Sequence, residues 1–158
     1  MQKYTKLIEV VDPAYFDDVV YTRKMSCAVI LTKERRILLQ MRSHGRNSFP
    51  DCLTTFGGGI EAGEAPIQAL IRELHEELGA SVNESEVISF GAITEAITNY
   101  TELVHVYFWH DHLGTITGCY EDQPLYFDNI ESILQHPKLD KDYVSWLLEQ
   151  CKSHGLLS

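Results

Sequence analysis

The chain has 158 residues, of which 44% are hydrophobic and 23% charged, the balance of an ordinary globular domain, which excludes intrinsic disorder, collagen and coiled coil. Lys and Arg number 13 against 23 Asp and Glu, a formal net charge of −10, which disfavours a broad electrostatic grip on nucleic acid or on an anionic membrane. No apolar run approaches the roughly 20 residues that span a bilayer, and Met1-Gln2-Lys3-Tyr4 lacks the basic-then-apolar layout of a secretory signal, so a single cytoplasmic domain over residues 1–158 is expected.

In chain order, residues 4–10 predict a first strand, followed by a turn at Asp12-Pro13. Residues 1–22 read as an N-terminal extension, and residues 4–20 offer a surface on which a second copy could pack as a homodimer. The β-rich runs 25–32 and 37–42, separated by a polar turn, predict a hairpin. Residues 43–52 (SHGRNSFPDC) form a long polar loop of the kind that often carries function, and it leads into Leu53-Thr54-Thr55-Phe56 and Gly57-Gly58-Gly59. Residues 66–78 are the clearest helix, with Pro66 at its start and Gly79 just past its end. Ala65 stands at the N-cap without a capping side chain, a loss of about 1 kcal/mol. Residues 87–98 and 103–109 predict strands, 125–127 a short one, and 140–151 a closing amphipathic helix. Strands mixed with helices in this order predict an α/β sandwich. The 4 cysteines (Cys27, Cys52, Cys119, Cys151) contain no C-x-x-C pair, so reduced, mostly buried thiols are expected rather than a zinc or redox site.

Chemistry concentrates on the 66–78 helix. Ile67, Leu70, Ile71, Leu74 and Leu78 form an inward stripe, while Glu73, Glu76 and Glu77, at i, i+3 and i+4, share an arc displaced from it. Like charges at that spacing repel, so a cation is expected among them. Hard oxygen ligands suit Mg²⁺, with Mn²⁺ as a substitute, and a bound cation would welcome phosphates that the bare acidic surface repels. Taken alone, the helix is better read as a solvated glutamate-rich face with Arg72 in an ordinary surface ion pair. What tips the balance is the glycine loop that ends in Glu64 immediately before the helix.

Gly58, five residues, Glu64, seven residues, then Arg72-Glu73-Leu74-His75-Glu76-Glu77-Leu78-Gly79-Ala80 resembles the Nudix box of MutT-like hydrolases, G-x5-E-x7-R-E-U-x-E-E-x-G-U. All seven fixed letters match, an agreement of roughly 10⁻⁸ by chance at any one start; Ala80 alone departs, where a bulkier aliphatic is usual. The resemblance, carried by residues 58–80, implies an α/β/α sandwich with a central mixed β-sheet and Mg²⁺-dependent hydrolysis of a nucleoside diphosphate linked to another moiety. It implies Glu76 and Glu77 as metal ligands, Glu73 as a ligand or the group that activates water, a backbone carbonyl from Gly57, and Glu64 with Arg72 bracing the loop beside Gly58. It also leads one to expect a later carboxylate, for which Glu121 is chosen over Glu95 and Glu102, and an arginine on substrate phosphates, Arg42 with Arg46 as a second. The partner is then a small nucleotide-type molecule, with neither membrane nor nucleic acid required. Alternatives within the fold are a nucleotide sensor that does not hydrolyse, which the intact glutamates disfavour, and an isopentenyl diphosphate isomerase, which would draw on Cys52 or Cys119. His110-Asp111-His112 is read as a turn rather than a metal site, and Tyr100, Tyr107, Phe108 and Trp109 as core with a partial contribution to the pocket.

Overall fold

The computed structural model describes residues 4–16, 20–43 and 50–158. Alternation along its central strands decides the layers. Strand β2 (Arg23–Leu31) sends Cys27, Val29 and Leu31 into one apolar cluster and Ala28 and Ile30 into another on the opposite face. Around it, β3 (Ile37–Met41), β4 (Leu53–Thr54), β5 (Phe56–Gly59), β6 (Val87–Glu95), β7 (Glu102–His110), β8 (Gln123–Phe127) and the edge strand β1 (Ile8–Val11) complete a sheet ordered β1-β6-β7-β2-β3-β4, with β5 on β2 and β8 on β3. β2 and β7 run parallel and the other pairs antiparallel, so the sheet is mixed.

Helix α1 (Pro66–Leu78) covers one face, burying Leu70, Leu74 and Leu78 against Ala28, Ile30, Leu38, Phe56, Tyr107 and Trp109. Helices α2 (Ile130–Leu134) and α3 (Lys141–Ser153) cover the other, where Ile133, Tyr143, Val144, Leu147, Leu148 and Cys151 meet Val29, Leu39, Val106 and Phe108. The architecture is the expected α/β/α sandwich with a central mixed sheet. Among the described residues no helix is long and apolar enough to cross a membrane.

Several boundaries depart from the sequence reading. The first strand begins only at Ile8, the strand from Val87 ends at Glu95 where a 3₁₀ turn (Ala96–Thr98) takes over, and α2 and the extension of β8 back to Gln123 carry no period strong enough to predict them. Helix α1 matches its predicted span, and Gly79 closes it in the left-handed conformation at φ 64°. The missing N-cap is partly offset: the Gln68 side chain reaches back to accept the Ala65 N–H at 3.0 Å. Ile71 is only partly buried and lies outside the cluster, whereas Ala69 is buried.

Leu74 is fully buried at the centre of the α1 face. Leu74→Ala should therefore lower unfolding free energy by about 2–5 kcal/mol; urea denaturation would show it, and a loss below about 1 kcal/mol would contradict this packing.

Candidate active site

One guanidinium ties the glycine loop to the helix. Arg72 donates through Nε to Glu64 Oε2 at 2.8 Å and through Nη2 to Glu64 Oε1 at 2.9 Å, a two-pronged pair, and Nη2 also donates to the Gly59 carbonyl at 2.9 Å. Nη1 reaches Glu73 Oε1 at 2.8 Å and lies 3.6 Å from Glu76 Oε2. These hydrogen bonds hold the Glu64 carboxyl down at about 2. Gly58 leaves room for this contact, because a Cβ there would sit 2.5 Å from the Glu73 carboxyl carbon.

The predicted acidic arc is graded from core to solvent. Glu77 is 2% exposed and accepts the Gly57 N–H at 3.0 Å; the Glu73 and Glu76 side chains are 15% and 50% exposed. Burial raises the Glu73 pKa against the lowering hydrogen bond from Arg72, and the charges of Glu76 and Glu121 raise it further. Glu121 thus stands near enough to Glu73 to act on it, and its neighbour Tyr120 donates its N–H to the Glu77 carbonyl at 2.9 Å, which joins that loop to the helix. Among the described residues no group of three or more His, Cys, Asp or Glu forms a ready-made metal cage.

Across β5 from the acids lies an open cleft. Gly57 is the wall between the two: its N–H faces Glu77 while its backbone lines the cleft. It adopts φ 148°, and a Cβ there would run into the Ser26 carbonyl, so only glycine lets the chain pass. Arg42 and Arg23 line the cleft; Arg46 lies outside the described residues. Glu95 and Glu102, the two rivals to Glu121, line this cleft together with Asp140.

Of the residues on the cleft, sequence reasoning missed Gln40, Asp140 and Tyr143, and named Glu95 only as a rival to Glu121. Glu95 is 6% exposed, and burial, with the charges of Asp140, Glu102 and Asp142, pushes its carboxyl up to about 8. Burial likewise raises Asp140 to about 6, although the Thr54 hydroxyl donates to its Oδ2 at 3.2 Å. A signal existed for Glu95, which falls two residues after Ile93 on the inward phase of a strand. None of Tyr100, Tyr107, Phe108 and Trp109 lines the cleft; the last three fill the two cores, and Tyr100 donates its hydroxyl to the Lys6 carbonyl at 2.8 Å. The aromatic on the cleft is Tyr143, whose hydroxyl pairs with Thr55 at 2.9 Å. His110 and His112 lie with ring centroids 6.0 Å apart, His112 beside Glu86 at 2.7 Å, while Asp111 accepts the Thr115 and Ile116 N–H groups and shapes the turn. Burial raises the thiol pKa of Cys27 and Cys151 to about 12 and of Cys52 to about 11, and raises that of Cys119 as well, so none is poised as a thiolate at neutral pH.

Comparison with known proteins matches residues 21–147 to the NUDIX domain family. The CTP pyrophosphohydrolase of Escherichia coli (strain K12) is 32% identical over 118 residues, covering 73% of this chain and 82% of that protein. The RNA pyrophosphohydrolase of Francisella tularensis subsp. mediasiatica is 40% identical over 62 residues, covering 39% of this chain and about a third (36%) of that protein's length. The crystal structure of a Bacillus subtilis pyrophosphohydrolase superposes with a TM-score of 0.65 at 18% identity over 96% of this chain and 93% of that one, a likeness of fold.

Glu95 gives a pH signature. Between its ordinary 4.5 and about 8 the folded chain keeps a proton that the unfolded chain releases, so this group withdraws stability as pH rises through that window and nothing further above it. Glu95→Gln should match the parent near pH 4 and gain on it up to pH 8, by an amount on the order of a few kcal/mol. Urea unfolding at several pH values would reveal the trend; a difference between the two proteins that stays constant with pH would contradict it.

Proposed function

The chain belongs to the Nudix family of hydrolases, and on that premise we propose that it is a metal-dependent pyrophosphohydrolase acting on a small nucleotide-type molecule. Water adds to one phosphorus of a diphosphate bridge, the P–O bond to the bridging oxygen breaks, and two phosphate-bearing products leave. The observation that carries this reading is the shared wall at Gly57, whose N–H meets Glu77 while its backbone lines the cleft, so that a ligand seated there would direct its polar end toward the glutamates of α1.

The donor set fits Mg²⁺ or Mn²⁺. Glu77 is a buried carboxylate beside the half-exposed Glu76, all donors are hard oxygens, and the nearby Arg72 is already engaged with Glu64, Glu73 and Gly59. Mg²⁺ takes one or two carboxylates and keeps waters and substrate phosphates for the rest, so an open arc serves it where a closed cage would not. Glu76 and Glu77 are the proposed ligands, with Glu73, Glu121 and the Gly57 carbonyl completing the set. The cation, when bound, would neutralise phosphate charge and acidify the attacking water. Glu73, whose pKa is raised by burial, would take up the water's proton. Arg42 and Arg23 would hold the phosphates at the mouth of an otherwise acidic chain, and Arg72 with Glu64 would keep the loop against the helix. The substrates in the names of the two relatives, CTP and RNA, set the first compounds to try, and the net charge of −10 favours the free nucleotide over the polymer.

Assays with Mg²⁺ and Mn²⁺ across nucleoside triphosphates, ADP-ribose, dinucleoside polyphosphates and nucleotide sugars, with products identified by mass spectrometry, test the reaction; failure to cleave any of them would overturn it. Glu77→Gln keeps an oxygen for the Gly57 N–H and should fold, yet lose on the order of 10²-fold or more in turnover. Full activity in that variant would refute the ligand assignment.

A further inference from the structure

The floor of the cleft carries two polar side chains whose hydrogen-bonding is incomplete. Gln40 is 1% exposed; its amide nitrogen faces the Thr55 carbonyl at 2.7 Å, and only an N–H can stand there, so its Oε1 is left as an acceptor, buried and without a partner. Glu95 Oε1 is likewise buried and without a partner. Asp140, which also lines the cleft, already accepts from Thr54. Buried polar atoms are nearly always satisfied, and two orphans on residues that line one cleft indicate that a ligand supplies the missing partners. Beside them, Met25 and Val104, paired across β2 and β7, offer one apolar patch on which a flat ring can lie, and Arg23 and Arg42 supply positive charge for its phosphates.

We propose that this cleft is the nucleobase pocket, and that Gln40 and Glu95 select a base carrying an exocyclic amine beside an unprotonated ring nitrogen, as in cytosine or adenine, over one with an oxo group there, as in uracil. The proposal rests on the nucleotide reading above and deepens it. The amine donates to Gln40 Oε1. Glu95, which holds its proton at neutral pH because it is buried among Asp140, Glu102 and Asp142, donates that proton as a hydrogen bond to the ring nitrogen. With uracil, the 4-oxo group meets Gln40 Oε1 acceptor to acceptor, and since the Gln40 amide is held by Thr55 it cannot turn its nitrogen toward the base without breaking that bond. Glu95 has an O–H and a carbonyl to offer and adapts to either base, so Gln40 carries the discrimination and Glu95 the anchoring.

The test is an NMR titration of the full chain, without metal, with CMP and with UMP, following the Gln40 side-chain amide. CMP should bind about ten-fold or more tighter than UMP and shift that resonance. Glu95→Gln, which retains a donor and an acceptor, should keep CMP affinity within about three-fold of the parent, whereas Glu95→Leu, which removes a buried acid and so should fold, should weaken CMP by about ten-fold or more. Equal affinities for the two nucleotides, no binding of either, an unmoved Gln40 resonance, or undiminished CMP binding by Glu95→Leu would each overturn the pocket assignment. Hydrolysis keeps the two claims apart. Nucleoside triphosphates cleaved with equal kcat/KM for CTP and UTP would sink the pocket and leave the reaction standing; CMP preference in a chain that hydrolyses nothing would do the reverse.

Discussion

Arg72 holds together two pieces of chain that would otherwise separate. The glutamates of α1 repel one another at their i, i+3 and i+4 spacing, and the glycine loop before the helix, residues 57–65, buries none of its residues. A planar guanidinium with a fixed fork of donors answers both: it clamps Glu64 with two bonds, reaches Glu73 with a third and the Gly59 carbonyl with a fourth. Lysine, a point charge on a flexible stem, could not span that set. The loop is thereby pinned across the start of α1, and from that follow the position of Gly57, the burial of Glu77 and the room that Gly58 leaves for Glu73.

The sheet turns this local clamp into a site. Because β5 pairs with the N-terminal half of β2, its glycines run between α1 on one face and the α3 side on the other. A wall one backbone thick separates acids that would gather cations from a cleft lined by arginines and buried acceptors. The parallel pairing of β2 and β7 sets Met25 directly against Val104, and the β6–β7 ladder brings the inward-facing end of β6 alongside. The cleft and the acid arc are thus built from distant parts of the chain, yet they depend on the same few residues of β5.

The half of the site that lies on one helix was legible in the sequence, because a helix converts spacing directly into geometry: Glu64, Arg72, Glu73, Glu76 and Glu77 are read from i+3 and i+4 relations and from one resembling motif. Helix α1 was placed to the residue for the same reason, with proline and glycine marking its ends. The cleft was not legible. Gln40, Glu95 and Asp140 come from β3, β6 and the start of α3, and only strand pairing and the docking of α3 bring them together. The aromatics at strand spacing were legible as core: Tyr107 and Trp109 alternate with Phe108 between the two faces, and all three are taken up by core packing with no share in the cleft. Glu77, expected on an arc displaced from the apolar stripe, is nonetheless buried, with Gly57 of β5 against its carboxylate, which no period within the helix could reveal.

The glutamates clamped beside Arg72 are the proposed seat for divalent cations, separate from the acids of the cleft. Electron paramagnetic resonance titration with Mn²⁺ addresses it without recourse to turnover. The parent should bind Mn²⁺, Glu76→Gln and Glu77→Gln should each weaken that binding by about ten-fold or more, and Glu95→Gln should leave it unchanged. Indistinguishable Mn²⁺ binding by all four proteins, or a loss confined to Glu95→Gln, would contradict the account.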